Sequence, residues 1–150
     1  MTVDNHTLLA SASDDRSVRL WDPATGCELR RLEGHTDWVR ALCAVTVDNH
    51  TLLASASDDR TVRLWDPATG SELRRLEGHT DWVRALCAVT VNNHTLLATA
   101  SNDRTVRLWD PITARCCFVI PVYHPAPACT ALPGLLAVGL DVGILTIDLA

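Results

Sequence analysis

Short apolar runs alternate with clusters of turn residues along the whole chain, and the rhythm is that of strands rather than helices. Trp38-Val-Arg-Ala-Leu-Cys-Ala-Val45 is a first strand, closed by the turn cluster Asp48-Asn49-His50. Thr51-Leu-Leu-Ala-Ser-Ala-Ser57 follows and stops at Asp58-Asp59. Thr61-Val-Arg-Leu-Trp-Asp66 is a third strand, with Val62 and Leu64 on one side, and Pro67-Ala-Thr-Gly70 makes the next turn. Ser71-Glu-Leu-Arg-Arg-Leu-Glu77 is a fourth, ending at Gly78-His79. Its mixed Arg/Glu edge is how an outer strand discourages pairing with a foreign chain. Strands spaced about ten residues apart with turns between them predict an all-β array.

The array is a repeat. Residues 1–44 and 45–88 differ only at Met1/Val45, Ser17/Thr61 and Cys27/Ser71. A third copy runs from Val89 to Pro111 and changes only Asp48 to Asn92, Ser55 to Thr99 and Asp58 to Asn102. Beyond Ile112 the identity fades while the strand-and-turn rhythm continues.

Gly34-His35 and Gly78-His79, in phase with Trp21-Asp22, Trp65-Asp66 and Trp109-Asp110, resemble the Gly-His and Trp-Asp signature of WD40 repeats. The resemblance covers residues 1–111 position by position and the rest by rhythm. It implies an all-β fold of WD40 β-propeller blades, about three and a half to four four-stranded blades in this chain. It also implies a hydrogen-bonded tetrad in each blade: His35, Ser55, Asp59 and Trp65 in one, His79, Thr99, Asp103 and Trp109 in the next. Ser57 is the alternative to Ser55.

Counting strands divides the chain into residues 1–35 (a blade without its first strand), 36–78 and 79–122 (full blades), and 123–150 (a degenerate capping blade). The last blade is expected to hold strands near Cys129–Leu132, Leu135–Gly139 and Ile144–Leu149, after an outer strand at Cys116–Pro121. The total is three, four, four and three strands. A terminal unit that departs from consensus reads as the cap of the array, whereas Met1 aligns inside a repeat, as if the chain began within a longer array. Such a half-ring leaves apolar faces at both ends, so two copies are expected to complete a ring as a homodimer. Eight blades are favoured and seven remain open.

Composition narrows the chemistry. The net charge of −5 argues against a nucleic-acid partner, and no apolar run reaches the roughly 18 residues of a membrane span. The N-terminus lacks a signal-peptide pattern, which makes cytoplasm the expected compartment. All thirteen basic residues are Arg, so lysine chemistry is excluded. The six cysteines form no C-x-x-C pair, and Cys43 and Cys87 read as buried free thiols in a reducing compartment. His6, His50 and His94 sit in turns and read as solvent-facing. Asp58-Asp59 recurs with the repeat and reads as turn chemistry. With no nucleophile elbow and no phosphate loop, neither a catalytic residue, a metal nor a cofactor is expected.

The resemblance implies that what can bind is the face carrying the loops before the first strand and after the second. It would present Arg16, Arg60 and Arg104 with Trp38 and Trp82, residue types enriched in binding hot spots. Against this stands the reading that both tryptophans pack between blades. The expectation is a non-catalytic protein–protein interaction scaffold for a protein or peptide partner, the docking or sensor end of a bacterial signalling protein. Two alternatives are a small-ligand-binding propeller and a truncated fragment without a role of its own.

Overall fold

The computed structural model describes residues 1–3, 6–132 and 134–148. Among these there is no helix. β1 (Thr2–Val3) pairs with β2 (His6–Thr7), and β3 (Leu9–Ala12), β4 (Val18–Trp21) and β5 (Glu28–Leu32) form a three-stranded sheet. The second blade is β6 (Val39–Val47), β7 (His50–Ser57), β8 (Val62–Trp65) and β9 (Glu72–Leu76). The third is β10 (Val83–Val91), β11 (His94–Ser101), β12 (Thr105–Trp109) and β13 (Cys116–Pro121). The last sheet is β14 (Ala128–Leu132), β15 (Leu135–Leu140) and β16 (Gly143–Asp148). The final residue of its expected last strand, Leu149, lies outside the described residues.

Turn chemistry sets the registers. Asp48 and Asn49 both take positive φ, 49° and 64°, as do Asn92 and Asn93 at 48° and 62°. Two such residues make the tight hairpin that matches strand twist, and Asp and Asn tolerate that conformation where most side chains do not. Between the second and third strands of the first three blades the left-handed position falls on an arginine: Arg16, Arg60 and Arg104 have φ of 71°, 70° and 64°. Ser57 Oγ accepts from the Asp59 N–H, and the Asp59 carboxylate accepts from Thr61 N–H, which holds the turn around Arg60.

The core lies between blades. Val18, Leu20 and Leu32 of the first sheet pack on Val39, Leu53 and Trp65 of the second. Val62, Leu64 and Leu76 then pack on Val83, Leu97 and Trp109 of the third, and Val106 and Leu108 meet Leu136 and Val138 of the last. Each buried aliphatic side chain contributes about 1.5–3 kcal/mol. The inner strands β6, β10 and β14 stand side by side, so the sheets fan around one edge.

Three details differ from expectation. The first sheet keeps a remnant of its inner strand, because β1 and β2 align with the far ends of β6 and β7. Without the rest of that strand, the equivalent of β7 is split into β2 and β3. Cys43 and Cys87 are half-buried rather than buried: on the inner strands β6 and β10 they pack against the margins of the cores between blades and not within them. Cys27, Cys116 and Cys117 are exposed, and all six thiols are free.

Candidate functional site

Two sets of polar residues are built into the fold, one buried and one at the surface. In the second blade, Trp65 Nε1–H donates to Ser55 Oγ over 2.8 Å, and Ser55 Oγ stands 2.7 Å from His35 Nε2. His35 Nδ1 is 2.7 Å from Asp59 Oδ2. An ionised carboxylate only accepts, so the Nδ1–H donates to Asp59, Nε2 accepts from the serine hydroxyl, and one proton direction runs through the set. Burial would raise the Asp59 carboxyl, but hydrogen bonds from His35, Thr61 and the Thr36 N–H outweigh it and hold the group well below the usual carboxylate range. The third blade repeats the arrangement: Trp109 to Thr99 at 2.8 Å, Thr99 to His79 at 2.8 Å and His79 to Asp103 at 2.8 Å. Burial depresses the His79 pKa against the pull of Asp103, which favours the neutral ring.

It is Ser55, not Ser57, that joins this set; Ser57 Oγ instead donates to the Asp37 carbonyl at 3.1 Å and caps the turn. The glycine of each Gly-His pair also has a physical reason. A Cβ on Gly78 would stand 2.6 Å from Arg107 Nη1, and one on Gly34 would collide with Arg63, which is buried beneath it. Sealed in this way, the tetrads present no reactive atom to solvent. They hold the blades together.

The first sheet shows what a tetrad is without its histidine. Trp21 Nε1–H still donates to Ser11 Oγ at 2.9 Å. Asp15, still bound to Ser17, turns its other oxygen to Arg19 at 2.7 Å and Arg31 at 3.6 Å.

The surface set lies where the turns after the second strands meet the starts of the inner strands. Trp38 and Trp82 do not pack between blades; they are 45% and 43% exposed. Arg40 stacks over Trp38 with its guanidinium 4.4 Å from the ring centroid, and Arg84 over Trp82 at 4.5 Å. Arg40 donates to Asp58 Oδ2 from Nε and Nη2 at 2.8 and 2.6 Å, and reaches Asp14 of the preceding sheet at 3.5 Å. Arg84 reaches the other oxygen of Asp58 at 3.6 Å. The chain of charges Asp14–Arg40–Asp58–Arg84 thus crosses three sheets, and it stops at the third blade because Asn102 stands where Asp58 stood.

Between the second and third blades this face opens into a polar cleft of about 410 Å³, walled by Asp37, Asp58, Arg60, Asp81 and Trp82 among others. Of the expected surface residues, Arg60 and Trp82 line it. Arg16 and Arg104 are exposed at the equivalent turns of the neighbouring sheets, and Trp38 is exposed just before β6. Sequence reasoning missed Arg40 and Arg84, the half-buried partners of Asp58. Strand alternation does not signal the pairs, because Trp38 and Trp82 lie just before β6 and β10, and Arg40 and Arg84 fall where the register shifts between Val39 and Ala41 and between Val83 and Ala85.

Comparison with known proteins follows the same pattern. The family model described as "WD domain, G-beta repeat" matches residues 3–22, 26–66 and 70–110. A 35-residue stretch is 60% identical to the probable serine/threonine-protein kinase PkwA of Thermomonospora curvata, covering 23% of this chain and 5% of that protein. A 33-residue stretch is 64% identical to nuclear distribution protein PAC1 of Arthroderma benhamiae, covering 22% of this chain and 7% of that one. Among solved structures, the WD40 β-propeller domain of Doa1 superposes with a TM-score of 0.81 at 26% identity, over 97% of this chain and 47% of that chain. The chain therefore spans a small part of the curated relatives it matches and just under half of the solved propeller chain.

Proposed function

The chain belongs to the WD40 repeat family, and from that premise we propose that it is a non-catalytic scaffold docking a protein or peptide partner on the face that carries Trp38 and Trp82. One observation carries the reading. Two large aromatic side chains stand half in solvent, each fixed under an arginine that is itself tied down by Asp58. Pre-positioned aromatic and arginine side chains are what binding hot spots are made of, because little side-chain freedom is left to lose on contact. Arg16, Arg60 and Arg104 form the rim of this surface.

The finer parts of the reading are these. Residues 1–35, 36–78, 79–122 and 123–150 are its blade units. The likeness of one stretch to a probable serine/threonine-protein kinase of Thermomonospora curvata supports a place as the docking part of a larger bacterial signalling protein, and a cytoplasmic location is proposed from the sequence alone. Completion of the ring by a second copy is part of the proposal, since exposed apolar end faces call for a covering sheet. Its footprint would be the end faces, where Leu9 is 58% exposed although its repeat equivalents Leu53 and Leu97 are buried.

The test is capture from an extract of the source organism on immobilised chain. A partner retained by the wild type and by Leu73→Ala, and lost by Trp38→Ala/Trp82→Ala, is the expected result. Retention by that double variant and by Arg60→Ala would overturn the assignment of the face.

A further inference from the structure

β13 breaks the rule that its two repeat equivalents, the fourth strands β5 and β9, follow. β5 and β9 both read Glu-Leu-Arg-Arg-Leu, three charges in five residues, whereas β13 reads Cys-Cys-Phe-Val-Ile-Pro and carries none. It is nevertheless the edge of its sheet: β12 pairs with it on one side and no described strand pairs with it on the other. Its side chains are not hidden. Phe118 is 57% and Val119 50% exposed, on opposite faces of the strand, and Cys116 and Cys117 are exposed beside them. Charged residues on an edge hinder pairing with another chain, and a bare apolar edge is a template for it.

We propose that β13 pairs antiparallel with β13 of a second copy across a two-fold axis, which would join two third blades into one continuous sheet. The choice of a second copy rests on charge. A two-fold sets a strand against itself, and an uncharged strand meets itself without conflict. The same pairing through β9 would, in its central registers, oppose Arg74 or Arg75 to arginines of the other copy, a like-charge apposition that destabilises a ladder. Pro121, with no N–H to donate, ends the pairing segment at Ile120. The contact is separate from ring closure: ring closure uses the faces of the end blades, and this pairing uses the rim of an inner one.

The experiment is light scattering of the full chain at matched concentration under reducing conditions, for wild type, Val119→Lys, Phe118→Lys and the control Leu29→Lys. Leu29 is 50% exposed on β5, so its replacement removes a comparable apolar surface from a charged edge. Wild type and Leu29→Lys are expected to share one mass, and each β13 variant to show half of it or less. Amide exchange at residues 116–120 is expected to be about tenfold slower in wild type than in Val119→Lys, which separates strand pairing from loose clustering. Equal masses for wild type and both β13 variants, an equal fall in Leu29→Lys, or unchanged exchange would each overturn the pairing. The particle left in Val119→Lys reports on the other reading independently. One chain would refute ring closure and leave β13 pairing standing, and two chains would support both.

Discussion

The same substitution in two copies of one repeat separates the tetrad's contribution from the residue's. Ser55→Ala removes an Oγ that is fully buried, leaving the Trp65 indole N–H without its acceptor at 2.8 Å and His35 Nε2 without its donor at 2.7 Å. Neither group can turn to water, because Trp65 is 1% exposed and His35 6%. Each orphaned buried group costs about 1–3 kcal/mol, so the pair costs roughly 2–5 kcal/mol, a large share of a small domain's stability. Ser11→Ala removes the equivalent atom where there is no histidine and where Trp21 is half-exposed, so the indole can bond to solvent. That variant is expected to lose about 0.5–1 kcal/mol. Ser55→Thr restores an oxygen in the place where Thr99 already makes both bonds at 2.8 Å, and should recover most of the loss. Urea unfolding followed by tryptophan fluorescence gives the three values. A Ser11→Ala loss equal to or larger than that of Ser55→Ala would refute the reasoning, as would Ser55→Thr behaving like Ser55→Ala.

Acidification is expected to destabilise the chain in two stages, read as urea midpoints across the pH range. The folded His79 refuses a proton that the unfolded chain binds, so stability is full above about 6.5 and falls below it. Asp59 and Asp103 are held below their ordinary range, so their contribution is present above about 4 and is lost as the pH drops further. A midpoint unchanged between neutral pH and the lower end of the histidine range would contradict the first stage. Leu53→Ala should cost about 2–4 kcal/mol and Leu9→Ala under about 1, since the same leucine is 2% exposed in one copy and 58% in the other; similar losses in the same urea assay would contradict the stacking order of the blades. Asn102→Asp should stabilise the fold by about 0.5–1 kcal/mol and so raise the midpoint, because Arg84 then gains within its own blade the partner that Arg40 has in Asp58. A neutral or lowered midpoint would show that Arg84 is already satisfied.

The blades were legible because every signal that makes them is local. Asp48-Asn49 announces its hairpin by the positive φ it can adopt, and Val62 and Leu64 announce a face by their alternation. The members of the buried tetrads were legible only through the family resemblance, which spans 20–24 residues of chain between His35 and its partners. No local pattern tells Ser55 from Ser57; what decides it is that Ser55 and Trp65 stand on neighbouring strands with the Ser57 side chain turned to the Asp37 carbonyl. Exposure was not legible at all within the repeat. Leu9, Leu53 and Leu97 are the same residue in the same sequence context, and only the presence or absence of a covering sheet distinguishes them. Cys43 and Cys87 were misjudged for the same reason, since an apolar run marks a strand but not which layer of the fan it occupies.

Near-identity of the copies also decides where function can be read. A residue present in every unit at the same place, such as Trp65 or Asp59, is explained once its blade is built, and its repetition adds nothing specific. The informative positions are those where one copy departs from another. Asn102 in place of Asp58 breaks the charge chain after Arg84, so the proposed docking face is not the same over the third blade as over the second. The change from Glu-Leu-Arg-Arg-Leu to Cys-Cys-Phe-Val-Ile removes three charges from an outer edge that needs them to stay unpaired. Neither change alters the blade beneath it: β12 pairs with β13 along the same register that β8 uses with β9, including the bulge before the tryptophan. A fold that tolerates such substitutions without local cost leaves them free to specify what the surface meets, and a partner's choice among blades would follow the departures rather than the consensus.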